Sequence, residues 1–204
     1  MRNEFPSFVT RRGFIAGAMG AATLAVLPRP VLALDINSAR ALIDRAIGEV
    51  NRVINSGKPE VAMYDDFEGI FARYADVPVI ARSALGVAAK SASAAQMSAF
   101  TLAYRGYIGR KYGRRFREFI GGRIEVVDAK PFKSYFEVIS VAHLQGAAPF
   151  DLRWWVSNKS GKDLFFNIII EGVNMLGTER TEVGAMLDQR RGDIDALIRD
   201  LKTA

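Results

Sequence analysis

Cysteine is missing from all 204 residues, which excludes disulfides, thiol nucleophiles and thiolate metal sites and leaves burial as the source of stability. Imidazole is nearly as scarce. His143 is the single histidine; it stands in a predicted strand and reads as structural or solvent-facing rather than as a catalytic base. Excess charge is also small: once residues 1–33 are set aside, 24 basic side chains face 21 acidic ones, too mild an imbalance for nucleic-acid binding. The uncharged run Gly13 to Leu27 is too short to span about 30 Å of hydrocarbon as a stable anchor.

What the N-terminus does contain is an export pattern. Thr10-Arg11-Arg12-Gly13-Phe14-Ile15 matches the twin-arginine motif, in which paired guanidiniums are hard to replace by lysine. The apolar run follows, then Pro28-Arg29-Pro30 and Val31-Leu32-Ala33, whose small residue before Leu34 suits a signal peptidase. Residues 1–33 are therefore expected to be a cleaved signal peptide, and residues 34–204 a single domain. With 50% hydrophobic and 25% charged residues, that remainder suits one globular core.

The most apolar stretch of the remainder is Leu164 to Leu176, with apolar residues on both phases of the strand period. It reads as an interior strand, ended by Glu171-Gly172. Ahead of it the chain is helical. Ile36, Leu42, Ile43, Ile47, Val50 and Ile54 recur at helical spacing, and Asn55 to Pro59 stops them. A short helix carries Phe67, Ile70, Phe71 and Tyr74, with Asp65, Asp66 and Glu68 expected near its N-terminal end. Without a histidine or a calcium-loop spacing, helix charge explains those carboxylates better than a metal. Asp76-Val77-Pro78 opens a third helix to Ala89, and Ser93 to Gln96 has the form of a capping box for the longest, Ala94 to Phe119.

After Gly121-Gly122 the period changes to strand-like. Arg123–Ala129, Ser134–Leu144, Phe150–Ser157 and Leu164–Val173 read as four strands, with turns at Lys130-Pro131, Gln145-Gly146 and Asn158 to Lys162. Short connections imply antiparallel pairing. A helical region from Glu179 to Leu201, broken at Arg191-Gly192, closes the chain. The fold class is α+β, with helices packed on one side of a strongly twisted four-stranded antiparallel sheet. Arg110, Arg114 and Arg117 fall together on one helix face and read as solvated charge or as a docking face.

Tyr74-Ala75-Asp76-Val77, Ile80-Ala81, Leu85-Gly86, Ser91-Ala92-Ser93 with Gln96, Phe100 with Tyr104, Tyr112-Gly113 and Ile169 to Asn174 carry a resemblance. In order and spacing they are similar to the MlaC or toluene-tolerance family of periplasmic lipid carriers, from about Leu34 to Leu201. The chain departs from the family pattern at Asp163, Asn167, Asn174 and Val183, where tryptophan, aspartate, serine and an aromatic residue are usual.

The resemblance implies an apolar lipid pocket between helices and sheet, which takes acyl chains and leaves the head group in water. Its expected lining is Phe71, Tyr74, Ile80, Ala81, Leu85, Phe100, Tyr104, Ile108, Val138, Trp154 and Ile169. The ligand implied is a phospholipid, or a hopanoid-type lipid by similarity to a hopanoid-associated branch. The partners implied are an inner-membrane ABC transporter complex and an outer-membrane lipoprotein complex. The protein is expected to be a periplasmic monomer that carries lipid without chemistry on it and needs no cofactor, metal or nucleic acid. The alternative class is a small α+β enzyme that uses an apolar pocket.

Overall fold

The computed structural model describes residues 34–204, without the side chains of Phe116 and Arg117. The signal-peptide reading of residues 1–33 lies outside the described residues. α1 (Ile36–Ile54) starts on a reciprocal cap: the Ser38 amide donates to Asp35 Oδ1 at 2.7 Å, and the Asp35 amide donates to Ser38 Oγ at 2.9 Å. Its buried stripe includes Leu42, Ile43, Ile47, Val50 and Ile54, as the spacing predicts.

α2 spans Glu60–Tyr74, so the expectation that Asp65, Asp66 and Glu68 lie at a helix N-terminus is corrected. They sit inside the helix, where Asp66 accepts from Lys58 at 2.6 Å and Glu68 from Arg105 at 2.9 Å. α3 (Val77–Leu85) begins at Asp76, whose amide donates to the Phe165 carbonyl at 2.7 Å. It ends at Gly86, whose φ of 64° favours glycine, and a 3-10 turn Gly86–Lys90 takes over. α4 (Ala94–Arg115) opens on the predicted capping box, with both Ser93–Gln96 bonds at 3.1 Å. A 3-10 turn, Phe116–Phe119, extends it.

The sheet runs β1 (Arg123–Phe132), β2 (Tyr135–His143), β3 (Phe150–Ser157), β4 (Leu164–Ile170) and β5 (Val173–Asn174), in sequence order and antiparallel throughout. A two-residue fifth strand joins the four expected. The turn expected at Lys130-Pro131 is corrected: β1 continues through Pro131, which an edge strand tolerates, and the chain reverses at Lys133-Ser134. α1 covers that edge. Asn51 Nδ2 donates to the Ile124 carbonyl at 2.9 Å, the Ile124 amide returns a bond to Asn51 Oδ1 at 3.1 Å, and Arg40 Nη2 donates to the Val126 carbonyl at 2.9 Å. These bonds stand in for a neighbouring strand.

α5 (Met175–Gln189) is capped by Asn174, and α6 (Ile194–Leu201) follows the expected break at Arg191-Gly192. Asn167 and Asn174, two of the departures from the family pattern, prove to be partners. Asn167 Nδ2 donates to Asn174 Oδ1 at 3.0 Å, while Asn167 Oδ1 accepts from the Leu176 amide at 3.1 Å. α1 packs on β1 to β3 and α3 and α5 on β4, whereas α4 packs mainly on α2, α3 and α6. The result is an α+β fold. Among the described residues, no helix is long and apolar enough to cross a membrane.

Candidate functional site

The residues expected to line a pocket fall into two groups with α3 between them. The first is on the helix-facing side of the sheet, where Val138 on β2 lies opposite Trp154 on β3. The Trp154 ring meets Phe165 edge to face at a centroid distance of 5.2 Å, and Phe165 lies 6.4 Å from Phe71 of α2. Trp154 Nε1 donates to Ser140 Oγ at 2.8 Å, which satisfies the only polar atom of the indole inside the core. Tyr74 turns its hydroxyl outward to Glu49 Oε1 at 2.7 Å.

The second group is on α4. Phe100 and Tyr104 stack at 5.6 Å, and Ile108 continues their face one turn on. Ile80, Ala81 and Leu85 of α3 are buried with both groups in one continuous apolar cluster. Ala81, Phe100, Tyr104 and Val138 are 0% exposed, so no void that a water could enter adjoins them. The interior is closed around these four side chains.

Ile169 does not join them. It pairs with Arg153, and Trp154 pairs with Ile168 instead. Ile169 therefore lies on the face turned away from the helices, and its expected place in the pocket is corrected. The cause is a bulge at Phe166, which has no partner between the pairs Trp155–Asn167 and Val156–Phe165. One extra residue reverses the alternation, so Phe165 points inward and Ile169, four residues on, points outward.

Two hollows on the surface of the described residues bear on the site. One of about 550 Å³ runs between α2, α3 and α4, lined by Ala72, Val77, Pro78, Arg82, Met97, Leu102 and Arg105 among others. None of the predicted pocket residues lines it. The other, about 790 Å³, lies on the outer sheet face and includes Ile169 and Trp155.

A polar knot beside the α4 group was not anticipated. Glu179 on α5 is 3% exposed, and its Oε1 accepts from Tyr112 Oη at 2.5 Å and from Lys111 Nζ at 2.6 Å. Lys111 also binds Glu182. Glu179 Oε2 and the Tyr104 hydroxyl have no hydrogen-bond partner among the described residues. Burial first, and then the Glu179 charge, push the Tyr104 and Tyr112 phenols well above their ordinary range. The sequence signal was the pair of tyrosines on an apolar helix face, whose hydroxyls needed partners.

The three arginines do not form one free face. Arg110 donates through Nε to the Ala204 carbonyl at 2.8 Å and through Nη2 to the Leu201 carbonyl at 2.5 Å, closing the C-terminal end of α6. Arg114 is exposed, and the Arg117 side chain is outside the described residues. His143 Nε2 lies 2.9 Å from Glu125 Oε1 at the outer sheet face.

Comparison with known proteins returns two findings. Residues 44–203 match the family described as MlaC protein. The fold also matches a phospholipid-binding protein from Ralstonia solanacearum solved in complex with a phospholipid, with a TM-score of 0.67 over 80% of this chain and 94% of that one. Sequence identity with it is 16%, so the likeness is one of fold.

Proposed function

The chain belongs to the MlaC family, and from that premise we propose that it is a phospholipid carrier whose acyl chains occupy the apolar interior between the helices and the sheet. The observation that supports this reading is the single buried cluster that joins α2, α3 and α4 to β2, β3 and β4. Acyl chains are costly to move through water. At about 0.8 kcal/mol per methylene, a sixteen-carbon chain needs about 12 kcal/mol of apolar contact to leave a bilayer. A surface groove edged by Arg82 and Arg105 does not offer such an enclosure, whereas the interior behind α3 does once its walls part.

The lining we assign is Phe71, Tyr74, Ile80, Ala81, Leu85, Phe100, Tyr104, Ile108, Val138 and Trp154, without Ile169. No step of chemistry on the lipid is part of the proposal. The carrier works in the periplasm, as a mature chain that begins near Leu34 after export. It exchanges lipid between an inner-membrane ABC transporter complex and an outer-membrane lipoprotein complex, and the partners set the direction.

A matched pair of substitutions tests the assignment. Leu85→Trp projects an indole into the lining and is expected to abolish co-purified phospholipid, measured by mass spectrometry of a solvent extract, at a cost of about 1–3 kcal/mol in stability. Ile169→Trp adds the same bulk on the outer face and is expected to leave the lipid in place. Equal lipid content in the two folded variants would refute the assigned site, and wild-type protein from its own periplasm without extractable lipid would refute the carrier.

A further inference from the structure

The face of the sheet turned away from the helices carries a cluster that the carrier reading does not use. Phe132 and Tyr135 flank the β1–β2 turn with ring centroids 5.4 Å apart, and Trp155 lies 5.0 Å from Tyr135 and 6.1 Å from Phe132. Phe166, turned outward by the bulge, closes the group 5.2 Å from Tyr135 and 6.0 Å from Trp155. All four rings are half-buried. Beneath them Glu137 accepts from Trp155 Nε1 at 3.3 Å and pairs with Lys130 at 3.4 Å, so the one carboxylate under the patch is neutralised.

Two hairpin turns reach the same end of the sheet and bring three exposed lysines to the rim. Lys133 occupies the β1–β2 turn, Lys159 and Lys162 the β3–β4 turn, and Lys159 Nζ donates to Ser134 Oγ at 2.8 Å, linking the turns. None of the three lysines pairs with a carboxylate among the described residues. Lys133 holds a φ of 54°, a left-handed conformation in which a glycine would be unstrained, and its Nζ lies 5.5 Å from the Phe132 ring.

We propose that this aromatic patch and its lysine rim dock the protein on an anionic lipid bilayer. Trp and Tyr rings favour the depth of the head groups, where an apolar body and a polar tip are both accommodated. Unpaired lysines at the same level gain from negative head-group charge, and the gain is screened by salt. A protein partner fits less well, because lysine is depleted from protein–protein interfaces while aromatic residues are enriched. Docking by this face leaves the helix layer and the buried cluster free of the membrane contact.

Flotation with vesicles tests the proposal, using phosphatidylglycerol mixed with phosphatidylcholine against phosphatidylcholine alone, at low and high salt. The wild-type chain is expected to bind the anionic vesicles at low salt, to release at high salt, and to shift its tryptophan emission to the blue as Trp155 enters the head-group layer. Lys133→Glu, Lys159→Glu and Lys162→Glu combined should weaken binding by at least about a hundredfold. Tyr135→Ser should weaken it while leaving the fold intact by circular dichroism. Binding that ignores vesicle charge or survives the triple reversal overturns the proposal, as does no binding to either vesicle, which would hand the face to a protein partner. Lipid cargo read by mass spectrometry is expected to be unchanged in the triple variant, so a failure of the carrier reading and a failure of docking are seen separately.

Discussion

Tyr104 and Tyr112, two turns apart on α4, show opposite solutions to burying a phenol. Tyr112 donates to Glu179 at 2.5 Å, whereas the Tyr104 hydroxyl has no partner among the described residues. Tyr104→Phe is therefore expected to leave stability unchanged or raise it, while Tyr112→Phe removes a bond to a charged group and should cost about 1.5–3 kcal/mol in urea denaturation. A loss above about 1 kcal/mol for Tyr104→Phe would show that its hydroxyl is satisfied. Both phenols have raised pKa values, by burial and then by Glu179. An unfolded tyrosine releases its proton near pH 10 and the folded ones release theirs only higher, so their contribution is complete below about pH 10 and lost as pH rises beyond it. Thermal midpoints should hold to about pH 9 and fall in more alkaline buffer, and less steeply for Tyr104→Phe.

At the scale of elements, contact between α2 and α4 depends on glycines that apolar spacing does not register. A methyl group at Gly109 would stand 2.8 Å from Glu68 Cβ, and one at Gly113 would stand 2.5 Å from Tyr64 Cδ1. Gly109→Ala should therefore cost about 1–3 kcal/mol by forcing the helices apart. Gly48, inside α1 with nothing within 4 Å of the added atom, is the control: Gly48→Ala should stabilise by about 0.5–1 kcal/mol. Equal effects from the two substitutions, measured by chemical denaturation, would mean that the α2–α4 approach is looser than described. The contrast between legible and hidden features has a physical basis. Caps such as Ser93 with Gln96 are local, so sequence alone reveals them. The start of α2 at Glu60 was hidden because its first turn, Glu60 to Met63, lacks a side-chain cap. The turn after β1 was misplaced because Pro131 looks like a breaker unless its strand is known to be an edge.

The arrangement of the described residues was legible in outline: helices, a meander of strands, then returning helices. Shared burial was legible except at one point, since ten of the eleven residues expected in the lining enter or pack against one apolar cluster and Ile169 does not. A strand apolar on both faces gives no sign of a bulge, and the bulge at Phe166 decides which face Ile169 takes. What sequence could not supply is the closure around Ala81, Phe100, Tyr104 and Val138, because periodicity specifies burial but not whether facing walls touch. Closure also sharpens the central claim, that acyl chains lie where Ala81, Phe100, Tyr104 and Val138 are now fully covered. Its most direct test loads the unmodified protein with a phospholipid bearing a photoreactive group at the end of one acyl chain, followed by irradiation and mapping of the adducts by mass spectrometry. The account predicts adducts on α3, α4 and the inner residues of β2 and β3, at Leu85, Phe100, Ile108, Val138 or Trp154. Adducts confined to the outer-face residues Phe132, Trp155 and Ile169, or to the groove at Met97 and Leu102, would contradict it.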